Sequence, residues 1–148
     1  MSNGYSEQNA VWRGKLVALT RRLSEKDMGR QAGGPGWTVT GLLGHLAFYD
    51  QRALALLSKW KKDGISPSPH DTDIVNDAMR PILNAVAPRE MKRLAVEAAE
   101  AIDAAIDALE PEFLSRIETE GKPLKLSRAA HREHHLAQIE KALAQAPA

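Results

Sequence analysis

Residues 91–110 read MKRLAVEAAEAIDAAIDALE. Leu94, Ala98, Ala101, Ile102, Ala105, Ile106 and Leu109 recur there in steps of one, three and four. That spacing follows the turn of an α-helix and lays an apolar stripe along one side. The carboxylates Glu97, Glu100, Asp103 and Asp107 step by three or four and read as a solvated face. Any one of them turned inward would become a fourth metal ligand or a partner to a ligand. Pro88 suits the first turn of this helix, and Pro111 stops it. A helix with such a stripe must bury it against other elements, so the rest of the chain decides the architecture.

Helical patterns recur on both sides. From Ser6 to Leu23, the residues Val11, Trp12, Leu16, Leu19 and Leu23 share a face. The stretch SEKDMGRQAGGPG, residues 24–36, breaks that helix with four glycines and Pro35. A second long helix is expected from Thr38, which can cap it, through Lys62, with Leu42, Leu43, Leu46, Leu54 and Leu57 buried and Asp63-Gly64 as its end. ISPSPH, residues 65–70, reads as a surface loop. A short helix follows, capped by Asp71 or Asp73 and carrying Ile74, Val75, Ala78 and Met79, with a kink or break at Pro81. PEFLSRIETEGKP, residues 111–123, reads as a connection, and a last helix runs from about Leu124 to Ala144. β-branched residues never alternate over a useful length, so no strand is expected. The expectation is an all-α, four-helix bundle with one short extra helix. At 148 residues the chain fits one domain, 1–148.

Composition narrows the function. Lys and Arg number 20 against 19 Asp and Glu, which leaves no electrostatic footprint for nucleic acid. Cysteine is absent, which removes disulfides, thiolate zinc sites and a cysteine nucleophile. The start MSNGYSEQNAVW lacks the regions of a signal peptide, and no apolar run reaches the ~18 residues that span a bilayer. A cytoplasmic protein without membrane or nucleic-acid partners is expected. Alanine-rich faces also suit packing between subunits, which makes a homodimer the expected assembly. There is no GxSxG elbow, no P-loop and no GxGxxG.

The chemistry gathers in AAHREHHLAQIEKAL, residues 129–143, which holds His131, His134 and His135. On a helix, residues four apart stack at about 5–6 Å between Cβ atoms, so His131 and His135 can converge on one metal ion. His134 could take the place of His135, but only one of the two makes the better pair. A catalytic site of this kind takes three protein ligands and leaves a position open. The candidate third is His45, within GLLGHLAFYD on the second long helix. Alone, His45 reads as an ordinary histidine at the core edge. Together the stretches reinforce each other, because bundles build metal sites from facing helices. Tyr49 and Arg52 lie four and seven residues past His45, and Gln138 seven past His131. These three are the polar groups expected beside the metal, with Arg52 suited to a substrate carboxylate. The plainer alternative is a packed ring for Tyr49 and a surface ion pair for Arg52. His70, in the Pro-rich loop, reads as exposed and outside the site.

Three features coincide: Trp37-Thr38 opening a helix, His45 eight residues after the Trp within LLGHLA, and H-x-x-x-H in HREHHLAQI. With the acidic, Asn-bearing DTDIVNDAM, they resemble the DinB/YfiT-like superfamily, which includes the N-terminal domain of mycothiol-dependent maleylpyruvate isomerases. The resemblance spans about residues 10 to 144. It implies an up-down-down-up four-helix bundle with a divalent metal near one end, zinc or nickel, held by His45, His131 and His135. It further implies a transferase or isomerase using a low-molecular-weight thiol as co-substrate on a small molecule, or an amide or peptide hydrolase. A non-catalytic metal- or ligand-binding stress-response module is a further reading. The last is a bundle whose imidazoles never meet.

Overall fold

The computed structural model describes residues 3–121 and 124–145. Pro123, expected in a helix-free connection, lies outside them. The described residues form seven helices: α1 (Ser6–Arg22), α2 (Glu25–Met28), α3 (Val39–Asp63), α4 (Thr72–Asn84), α5 (Pro88–Asp107), α6 (Pro111–Glu120) and α7 (Ala129–Ala144). Among them the single β feature is an isolated bridge between Gln31 and Thr38. No helix is long and apolar enough to cross a membrane.

Local chemistry sets the boundaries. The Thr38 hydroxyl accepts from Gly41 N at 3.0 Å and caps α3. Gly64, at φ 89°, ends that helix in a conformation that favours glycine. Asp71 caps α4 through Ile74 N. Proline occupies the first turn of both α5 and α6.

Four expectations are corrected. A short helix, α2, sits inside the glycine-rich break, held by a capping box between Ser24 and Asp27. The 111–123 connection holds α6, because the proline that ends one helix also suits the first turn of the next. Helix α4 has no break at Pro81 and runs on to Asn84. The missing N–H forfeits one bond near the helix end, which a short final segment tolerates. Helix α7 begins at Ala129, not Leu124. The buried Asn9 amide donates to Leu126 O at 3.0 Å and accepts from Arg128 N at 2.8 Å, fixing that stretch outside the helix.

Helix α3 packs on α4, α5 and α7, and α1 packs on α5 and α7. Two apolar clusters fill the interior. One gathers Leu16, Leu19, Leu43, Leu46, Met91, Ala99 and Ile139; the other gathers Ala53, Leu57, Trp60, Ile102, Ile106 and Leu126. The stripe on α5 is rotated from the expected one. Leu94 stands 37% exposed while Asp103 is 1% exposed. Leu54 is only half-buried, and Leu56 takes the inner place.

A polar layer lies between the clusters. On α3, Asp50 falls after Leu46 of the first cluster and before Ala53 of the second. The Arg132 guanidinium donates to both Asp103 oxygens at 2.9 Å and to Asp50 Oδ2 at 3.4 Å. Arg128 Nε donates to Asp50 Oδ1 at 3.0 Å, and Arg13 to Asp103 Oδ2 at 2.6 Å. Asp103 is therefore no solvated carboxylate; two arginines hold it inside.

Candidate metal centre

The site is built where α3 passes α7. Two glycines on α3 let its neighbours close in. A Cβ on Gly41 would strike Asn84 Oδ1, and one on Gly44 would meet Met91 Cε at 2.6 Å. Asn84 in turn accepts from Thr38 N and Oγ1 at 3.3 and 3.0 Å and donates to Gly36 O at 2.6 Å. These contacts fix the first turns of α3. The next residues of that helix carry His45, whose ring is packed edge-on by Trp37 at 5.7 Å.

His45, His131 and His135 meet. One ring nitrogen from each lies within 4.8 Å of those of the other two. His45 Nε2 stands 3.0 Å from His131 Nε2. His45 is buried, and the α7 pair is partly buried. The spacing of the pair places both rings on one face of α7, with ring centroids 4.7 Å apart. His134 stays outside the triad, exposed, with its ring edge-on to His135 at 4.8 Å.

All three rings are held neutral. Desolvation, reinforced by the neighbouring imidazoles, lowers the His45 pKa to about 4 and the His131 pKa to about 3. Desolvation also lowers that of His135, while the bond to Gln138 works the other way. Metal ligation needs the neutral ring. His135 Nδ1 pairs with Gln138 Oε1 at 2.7 Å. Only a protonated Nδ1 can donate there, which leaves the Nε2 lone pair free. That is the orientation a ligating histidine receives from its outer partner. His45 Nδ1 is buried without a partner. A set of three neutral nitrogen donors fits zinc or nickel.

The triad forms part of the wall of a cavity of about 660 Å³. Tyr49, Arg52, Asn76, Lys125 and Arg128 line it too, and so does His70, so all five histidines of the chain face one space. Among the described residues, no carboxylate lines it. Of the polar groups expected beside the metal, the Tyr49 hydroxyl donates to Asn76 Oδ1 at 3.0 Å, and its ring lies 4.9 Å from that of His45. Burial raises the Tyr49 pKa, with Arg52 opposing. Arg52 donates to Ser68 O and Oγ at 2.6 and 3.1 Å, which ties it to the Pro-rich loop rather than to an acidic side chain. Gln138 bonds His135 itself. His70 is exposed as expected, yet its ring stands 5.9 Å from that of Tyr49, on the cavity wall. Asp50, Arg128 and Arg132 were not singled out in the sequence, and Asn76 figured there only as the Asn of DTDIVNDAM. Arg128 and Arg132, four apart and flanking His131, were the available signal.

Residues 11–133 match the family model of the mycothiol maleylpyruvate isomerase N-terminal domain. The chain belongs to this family, a branch of the DinB/YfiT-like superfamily. The matched stretch takes in His45 and His131 and stops two residues before His135. Comparisons with curated proteins and with solved structures returned no match.

Proposed function

We propose that this chain is a single DinB-like bundle domain that holds a divalent metal, zinc or nickel, through His45, His131 and His135. We further propose that it acts as a metal-dependent transferase using a low-molecular-weight thiol. The carrying observation is the convergence of three neutral imidazoles from α3 and α7 on the wall of a cavity that no carboxylate of the described residues lines. The ring of contacts from α1 to α5, α5 to α3, α3 to α7 and α7 back to α1 supports a four-helix, up-down-down-up arrangement, with α2, α4 and α6 as additions.

When bound, a metal on three uncharged ligands keeps its full charge and supplies a Lewis acid that favours thiolate over thiol and hydroxide over water. The family's name, with its mycothiol, favours the thiol. The protein's own residues do the rest. Gln138 fixes the His135 ring. Lys125 and Arg52 give the cavity a positive lining that suits an anionic substrate, while the charge of Arg128 is already met by Asp50. The Tyr49 hydroxyl, anchored by Asn76, is a hydrogen-bond donor and acceptor at the cavity wall. In the alternative reading the same site is a hydrolase; in another it holds metal or ligand without turnover, as a stress-response module. The cytoplasm, where small thiols stay reduced, is the proposed compartment.

A metal-stripped sample reloaded with zinc or nickel tests the proposal. The expected result is one tightly held ion per chain, lost in His45→Ala, and metal-dependent consumption of mycothiol against an anionic electrophile. Consumption of an amide substrate without thiol would favour the hydrolase. Failure to hold either ion would end all three metal readings.

We also propose a homodimer. Ala95, Ala98 and Ala99 of α5 pack inside the chain, while Ala104 stands exposed. Ile74 and Ile82, eight residues apart on α4 and 64% and 69% exposed, are the apolar surface that supports it. A single monomeric species in sedimentation would remove the dimer.

A further inference from the structure

The imidazoles come from two helices, and something must hold those helices in register. Among the described residues, four residue pairs in polar contact join α3, with the carbonyl of its Tyr49, to α7 and its capping residue Arg128. One is the His45–His131 pair itself. The other three run from the arginines that flank His131: Arg128 Nε to Asp50 Oδ1 at 3.0 Å, an Arg128 terminal nitrogen to Tyr49 O at 3.2 Å, and Arg132 to Asp50 Oδ2 at 3.4 Å. Asp50 lies five residues past His45, and its two oxygens reach one arginine on each side of His131. The remaining strong contacts of Arg132 go to Asp103 on α5, which carries no histidine, and to Asn9 O. Asp50, Arg128 and Arg132 are all buried, so these contacts are screened little by solvent.

We propose that Asp50 is a positioning residue for the metal centre: its carboxylate, shared by Arg128 and Arg132, sets His131 and His135 of α7 against His45 of α3. The inference rests on the reading of the triad as a metal site. Its physical ground is that a buried ionic group fixes register, because every shifted arrangement leaves a charge unpaired in the interior. Asp50 touches no imidazole, and it acts through the backbone of α7.

Asp50→Asn keeps the size and one acceptor but loses the charge. Two measurements test it. In the metal-free protein, nuclear Overhauser contacts between the His45 and His131 rings report their approach. Cobalt titration reports the dissociation constant and the visible band of the bound ion. Asp50→Asn is expected to weaken the ring–ring contacts, raise the cobalt Kd about 10–100-fold and shift the band, while helical circular dichroism is kept. Ile106→Ala, in the second apolar cluster, lowers overall stability and is expected to leave all three readouts alone. Wild-type ring contacts and cobalt binding in a folded Asp50→Asn would overturn the inference. If the wild type took up no cobalt, the metal reading would fall by itself, and the ring contacts would still decide the role of Asp50. Should Asp50→Asn not fold, Arg128→Met removes two of the three links and is expected to move the readouts in the same direction.

Discussion

His45 shows how one residue's surroundings decide its chemistry. An imidazole in water has a pKa near 6.5. Burial beside two other rings lowers that of His45 to about 4 and that of His131 to about 3. As pH falls below about 6.5 the unfolded chain takes up protons that the folded chain refuses. The stability carried by the neutral rings is thus complete above that pH and is lost progressively toward pH 3. Metal-stripped protein should therefore unfold at a lower urea concentration at pH 5 than at pH 7.5. His45→Phe should flatten that dependence, and an unchanged midpoint would mean the rings are not shielded. Gln138 gives a second prediction at this scale. Gln138→Ala leaves the His135 ring free to turn and should cost about 10–100-fold in zinc affinity, read by competition with a chromophoric chelator. The triad was legible because helical periodicity alone pairs His131 with His135. The bond from Gln138 to His135 was not, since spacing counts residues from a backbone and not from a ring nitrogen.

Helix ends and crossings carry the next level. Thr38, Gly64, Asp71, Pro88 and Pro111 announced boundaries in the sequence because each acts within a turn of itself. The missed helices α2 and α6 have only a turn or so of apolar pattern; Phe113, Leu114 and Ile117 are too few to show a period. The late start of α7 depends on Asn9, more than a hundred residues away, and no local pattern contains it. A close approach on α3 falls at Gly41, whose value lies in what it lacks. In an exposed helix, glycine to alanine would stabilise by about 1 kcal/mol. Here the new methyl would strike the Asn84 amide, already committed to Thr38 and Gly36. Gly41→Ala should instead destabilise by about 1–3 kcal/mol, measured by urea unfolding, because the crowded side chain cannot move without losing its bonds.

Across the whole molecule, the polar layer is the part furthest from what the sequence displays. Asp103 sits among glutamates on an amphipathic helix and reads as solvated; only the completed fold reveals Arg132 and Arg13 opposite it. The ionic groups divide the apolar interior in two and join α1, α3, α5 and α7 at one level. Such a layer need not add net stability, since desolvation offsets much of the attraction, but breaking it is costly. Asp103→Ala would leave the Arg132 guanidinium, 1% exposed, with Asp50 at 3.4 Å as its remaining carboxylate. The expected loss is about 3–5 kcal/mol in equilibrium unfolding, the range for a buried pair robbed of one partner. Replacing both residues together, Asp103→Leu with Arg132→Met, removes the stranded charge along with its partner. The double variant should therefore recover part of the loss, so that the two substitutions combine non-additively. A cost for Asp103→Ala below about 1 kcal/mol, typical of exposed ion pairs, would mean that water reaches this layer and that the helices are held in place by their apolar faces alone.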